Sequence, residues 1–257
     1  MKISVAISRA VLSLIFCSCA AAAQSPQPVS SLPAGTAIPV HFPHALDAAN
    51  LKVGDAVVAK TDQTILGPSG LRIPRGSQLT GTVMEVQPQA SSSDHSELAI
   101  KFDSLHVRDR AIPVRVALRA LASFVDSYGT RSPVVDNGTP DGSVYRQVGG
   151  DYFYQGDVVY SNEWDEVGKA THDGVVVKLE GRDLANSRNH VFCESTDTVQ
   201  AVGVFASGAC GVYGFTDITV AASGAGDSGA IRFSSAKHTL KIPRESTALL
   251  QVVAASE

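Results

Sequence analysis

Gly226-Asp227-Ser228-Gly229 has the residue types that could present a nucleophilic serine. That chemistry needs a histidine base beside Ser228, an Asp orienting the base and backbone N–H donors for an oxyanion. No histidine stands in an Ala-Ala-His-Cys context, and His172 lies in a turn sequence, Thr171-His172-Asp173-Gly174. Residues 223–229 therefore read as a hairpin loop, and no catalytic residue is expected. His41 and His44, three apart on or beside a strand, fall on opposite faces. No His, Asp or Glu set has metal-site spacing, and Cys193 and Cys210 lack CxxC partners, so neither a metal nor a cofactor is expected. His190, three residues before Cys193, does not change this. Asp136-Asn137-Gly138 with Asp141-Gly142 lacks the alternating carboxylates of a calcium loop and reads as a turn. Glu163, Asp165 and Glu166 flank Trp164, the single tryptophan. Paired carboxylates beside an aromatic could serve sugar hydrolysis, but three acids so close together read more simply as a solvated patch. Tyr152, Phe153, Tyr154 and Trp164 are the candidate binding residues. Two readings stand: an exposed aromatic surface, or a small satellite core.

These groups lie in a chain whose start reads as an export signal. Lys2 and Arg9 precede a short apolar run, Ala10 to Phe16, and Ala21-x-Ala23 fits a signal-peptidase site before Gln24. The run is shorter than the ~20 residues of a membrane span. Cys17 and Cys19 raise lipoprotein modification at Cys19 as an alternative, with Phe16 poorly suited to that motif. Cleavage at 23 leaves Cys193 and Cys210, which in an oxidising compartment most simply pair as a disulfide worth about 3 kcal/mol. Two free buried thiols are the alternative. A net charge of −4 with 18% charged residues gives no basic footprint, so nucleic acid is not an expected partner. No later stretch is apolar for 18 residues, so no transmembrane helix is expected in the mature chain.

Val, Ala, Gly, Ser and Thr with frequent Pro and Gly give the texture of an all-β protein. Residues 1–23 read as the signal and 24–31 as a polar linker. Residues 32–118 form the first part of a β-barrel or sandwich of short, mainly antiparallel strands. The expected strands are 36–42, 56–64, 78–86, 98–102 and 111–118, with Val57, Ala59 and Thr61 on one face and Leu79, Gly81 and Val83 on another. Residues 119–173 show no sustained apolar period and read as a long, irregular, loop-rich insertion. Residues 174–257 resume the barrel, with strands expected at 174–179, 199–206, 210–215, 218–222, 230–233 and from 239 onward.

One local phrase occurs three times: Leu32-Pro33-Ala34-Gly35-Thr36, Ile73-Pro74-Arg75-Gly76-Ser77 and Ile242-Pro243-Arg244-Glu245-Ser246. Proline fixes one dihedral and glycine supplies a positive φ, so each is a strand-entry turn. With Val53-Gly54-Asp55-Ala56 between the first two, and the closing strand to Val253 after the third, the set resembles the β-barrel domain of TrbI-like proteins. These are components of the outer-membrane core of conjugation and type IV secretion machines. Uncharacterised secreted bacterial proteins with a similar Ala209–Phe215 segment share the resemblance. It covers roughly 32–116 and 238–253 and implies a barrel in the cell envelope. The family's inner-membrane helix, long Pro-rich stretch and helical hairpin have no counterpart here, so a channel is not implied. The expectation is a non-enzymatic exported protein, periplasmic or otherwise in the envelope, whose barrel is a structural or interaction module for self-association or an envelope complex. The alternative is a periplasmic or extracellular ligand- or glycan-binding protein.

Overall fold

The structure is a computed structural model that describes residues 31–67, 70–90, 95–130, 133–134, 143–182 and 189–254. The expected signal with Cys17 and Cys19, the expected loop Ser91–Asp94 and the turn expected at Asp136–Gly142 lie outside the described residues. The fold is all-β. Strands β1 (Ala37–His41), β2 (Leu46–Asp47), β3 (Ala56–Thr61), β4 (Ile65–Leu66), β5 (Arg72–Ile73), β6 (Gln78–Gln87), β7 (Ser96–Val107), β8 (Arg110–Pro113) and β9 (Val116–Ala122) precede a short helix, α1 (Phe124–Gly129). Next come β10 (Pro133–Val134), β11 (Ser143–Gln147), β12 (Gly150–Gln155), β13 (Val158–Tyr160), β14 (Glu166–Thr171), β15 (Gly174–Val177) and β16 (Gln200–Ala201). The chain ends with β17 (Gly211–Tyr213), β18 (Ile218–Ser223), β19 (Ile231–Ser235), β20 (Lys241–Ile242) and β21 (Thr247–Val252).

The main sheet runs β17-β9-β21-β1-β3-β6-β7-β19-β18, with β8 paired to β7, and is a nearly closed barrel. Alternation fills its interior: Ile38, Val40, Val57, Ala59, Leu79, Ile100, Phe233 and Leu250 are buried together. An extended segment bridges the gap between β18 and β9. His190 N–H donates to Val220 O (2.8 Å) and Phe192 N–H to Leu118 O (2.8 Å).

The three repeated phrases form the same turn. Thr36, Ser77 and Ser246 each donate their N–H to the carbonyl of the proline three residues back, at 3.2, 3.2 and 3.3 Å. The residue between sits at positive φ each time: Gly35 at 86°, Gly76 at 85° and Glu245 at 62°. Glu245 thus adopts the glycine conformation, a strain of about 1 kcal/mol or more for an L side chain. Its N–H is used like those of the glycines, donating across to Phe42 O (2.8 Å).

The stretch 119–173 corrects the sequence reading. Its described residues are regular: β9 continues to Ala122, and β10 to β16 form a seven-stranded antiparallel meander, a half-barrel. Residues 174–177 belong to this second sheet, and so do Gln200 and Ala201 within the 199–206 strand expected in the barrel. Gly149, at φ of 91°, makes the hairpin turn between β11 and β12, where Gln147 pairs with Gly150. At Gly168 a side chain is excluded, since a Cβ would lie 1.9 Å from Val176 O. The second sheet packs on the outer face of β1, β9 and β21, where Ala37, Ala120, Ala122 and Leu249 meet Tyr152, Val159, Val175, Val177 and Phe205.

Candidate functional site

Strand β12 separates the expected binding residues by its alternation. Tyr152 and Tyr154 face the barrel, and Phe153 faces outward. Tyr152 is buried, its hydroxyl accepts the Ser207 N–H, and burial pushes its phenol well above the ordinary value. It is a core residue, as the satellite-core reading expected. Phe153 instead stacks on Trp164, with ring centroids 4.8 Å apart, and Tyr160, opposite Phe153 in the ladder, lies 6.4 Å from Trp164. Trp164 is 53% exposed and has φ of 64°. The tight turn around it is closed by Trp164 N–H to Ser161 O (3.0 Å) and Ser161 N–H to Asp165 O (2.9 Å). Glu163, Asp165 and Glu166 are exposed around it. A bulky residue in the left-handed region, in a turn that leaves its indole in solvent, is a feature that clusters at working surfaces.

The inner face of the second sheet holds a second feature, a cleft of about 580 Å³. Tyr145 and Gln147 of β11, Tyr154 of β12, Thr130 after α1, Thr171 of β14 and Val204 line it. The Tyr145 and Tyr154 rings meet edge to face at 4.6 Å. Burial, with Tyr145 adding to it, pushes the Tyr154 phenol up to about 12. Its base is braced from the barrel by Gln63, which is fully buried. Gln63 donates to Val175 O (2.9 Å) and accepts the Gly203 N–H (2.9 Å). Thr64 N–H donates to Asp173 (2.8 Å). Burial alone would raise the Asp173 carboxyl, but the bonds from Thr64 outweigh it and lower the value.

Cys193 and Cys210 form a disulfide, with Cα atoms 6.0 Å apart. Beside it lies a group that sequence reasoning missed. Arg119 is the extra residue of a bulge in β9, since Leu249 pairs with Ala120 and Leu250 with Leu118. Its buried guanidinium donates to the carbonyls of Ala209 (3.0 Å), Glu194 (2.7 Å), Ser207 (3.0 Å) and Glu180. Desolvation lowers its pKa to about 10, against the pull of Glu180. A lone Arg inside the apolar run Val116–Ala122 was the available signal.

Ser228 is exposed, and its hydroxyl accepts the Ala230 N–H (3.3 Å) in a turn. The Arg115 guanidinium ties the same loop through Ala225 O and Gly226 O. His41 pairs with Asp62 (2.6 Å) and His238 with Asp217 (3.2 Å), neither beside Ser228. Ser235 does join Asp217 and His238, but its hydroxyl donates to the carboxylate, with no bond to the imidazole that would activate it. Among the described residues no group of three His, Cys, Asp or Glu could hold a metal ion, and no helix is long and apolar enough to cross a membrane. No family model, curated protein or solved structure matches the chain.

Proposed function

We propose that this is an exported, non-enzymatic protein of the cell envelope, in which the second sheet, packed on a TrbI-like barrel, presents a docking surface to a protein partner. The Ala21-x-Ala23 signal motif, the disulfide and the ordered strand-entry phrases support the address and the relationship. The observation that carries the docking role is the outward Phe153–Trp164–Tyr160 platform with its three surrounding carboxylates. An indole face backed by acids favours a cation, so the partner presents Lys or Arg beside an apolar contact. A rigid aromatic anchor loses little side-chain entropy on binding, which suits a hot spot.

The test is envelope cross-linking of the exported protein followed by titration of the recovered partner against Trp164 fluorescence. The wild type should recover one partner in a salt-sensitive manner, and Trp164→Ala should lose it. Replacing Glu163, Asp165 and Glu166 by their amides should weaken the association and flatten its salt dependence. A monomer by light scattering with no recovered partner, or recovery unchanged in Trp164→Ala, overturns the reading.

A further inference from the structure

We infer that the cleft on the inner face of the second sheet is a binding site for an uncharged saccharide of one or two rings. The inference is independent of partner docking, because Tyr145, Gln147 and Tyr154 lie on the face of β11 and β12 opposite to Phe153 and Tyr160. Four observations carry it.

The first is size: about 580 Å³ lies within the ~300–1,000 Å³ usual for small-ligand sites. The second is charge. Among the described residues the lining contains phenols, threonine hydroxyls, one amide, glycines and small apolar side chains, and no Asp, Glu, Lys, Arg or His. An ionic ligand would enter without a counter-charge, at a high desolvation cost. Asp173, at the neighbouring hairpin tip, is engaged by the Thr64 N–H. The third is unmet hydrogen bonding. Among the described residues Gln147 Oε1 is buried without a partner, and neither Tyr145 nor Tyr154 uses its hydroxyl. A buried acceptor left unpaired carries its full desolvation cost, which a ligand hydroxyl would recover. A phenol that stays protonated, as Tyr154 does, donates and accepts at any physiological pH. The fourth is shape. An edge-to-face tyrosine pair exposes a ring face as well as two hydroxyls, and a pyranose offers an apolar C–H face rimmed by hydroxyls. A purely apolar ligand would leave Gln147 unsatisfied, so a saccharide fits better than a lipid tail.

The base of the cleft is preorganised. Gln63 ties β15 to the 203 turn, so little ordering is needed on binding. The experiment uses the full oxidised chain and a panel of neutral probes (maltose, cellobiose and N,N′-diacetylchitobiose) with glucuronic acid as the charged comparison. Binding is read by calorimetry and by tyrosine ring signals in NMR. At least one neutral sugar should bind with a dissociation constant of about 1 mM or tighter and shift the Tyr145 and Tyr154 resonances. Tyr145→Ala should weaken it at least about tenfold, a change of about 1.4 kcal/mol. Tyr145→Phe, which keeps the ring and the packing, should weaken it about threefold, close to one neutral hydrogen bond. The inference is overturned if no neutral sugar shifts these rings. Tighter binding of glucuronic acid, or equal affinity of wild type and both variants, overturns it too.

Discussion

Replacing Arg119 by Met should cost about 3–5 kcal/mol of folding stability. The guanidinium gathers four carbonyls from three segments: Glu180 after β15, Glu194 beside the disulfide, and Ser207 and Ala209 in the turn before β17. A hydrogen bond to a charged group is worth about 1.5–3 kcal/mol net, so four at the low end give ~6 kcal/mol. Against this stands desolvation, which lowers the pKa from 12.5 to about 10 and corresponds to a penalty of about 3 kcal/mol. The remainder, about 3 kcal/mol, matches the loss seen when one member of a buried charged network is removed. Methionine keeps the stem volume but takes the charged donor from all four carbonyls, of which Ser207 O keeps the Glu180 N–H (3.1 Å) and Glu194 O the Gln251 amide (3.5 Å). Lysine restores a charge with three donors on one nitrogen, which cannot fork to four acceptors, and should lie between the two. Urea unfolding with the disulfide intact reads this as a fall in midpoint at unchanged slope. A Met variant within about 1 kcal/mol of wild type would refute the reasoning, since the carbonyls must then be satisfied without the guanidinium.

The disulfide should contribute about 3 kcal/mol, because it closes a loop of 17 residues in the unfolded chain. Cys193→Ala with Cys210→Ala should then lower Tm by about 6–12 °C, and a drop below about 2 °C would contradict it. The loss should be non-additive with Arg119→Met, because Glu194 and Ala209 adjoin the two cysteines. His41 is predicted to titrate above its ordinary 6.5: the Asp62 hydrogen bond raises it and burial only partly opposes this. A pKa raised by folding stabilises fully below about pH 6.5, and the contribution disappears as pH rises through the folded value. Asp62→Asn should therefore destabilise more below about pH 6 than near pH 8, and its imidazole NMR titration should move down; an unchanged midpoint would contradict the pairing.

The barrel's first half was legible because β3 and β6 have one wetter face and one dry one. Val57, Ala59 and Thr61 are buried as their alternation implied, and so are Leu79, Gly81 and Val83. The disulfide followed from counting cysteines. The second sheet was obscured by its own cleft. Tyr145, Gln147, Tyr152 and Tyr154 share one face but mix core and lining roles, so the pattern does not read as apolar against polar. Period-2 alternation alone would have put Phe153 on the other face from its two neighbours. Tyr145 and Gln147 carried no signal that distinguished them from an exposed strand. Arg119 was read as the start of a loop because a charge in an apolar run looks like its end.

The bulge at Arg119 also explains how the two sheets fit together. Val116 and Leu118 point into the barrel, and strict alternation would send Ala120 and Ala122 inward and Leu121 out. The extra residue reverses the parity: Leu121 fills the interior, and Ala120 and Ala122 face outward, where small side chains let the second sheet approach. Arg119 itself is sent outward at the reversal, into the seam lined by the carbonyls of residues 180, 194, 207 and 209. Strands β9 and β21 are consequently buried on both faces. A barrel cut free of residues 143–201 would expose Leu249 and the outer alanines, and would strand a bulged arginine on an apolar surface. The half-barrel is therefore not an appendage to a self-sufficient barrel; it is the other half of the core that one inserted residue makes necessary.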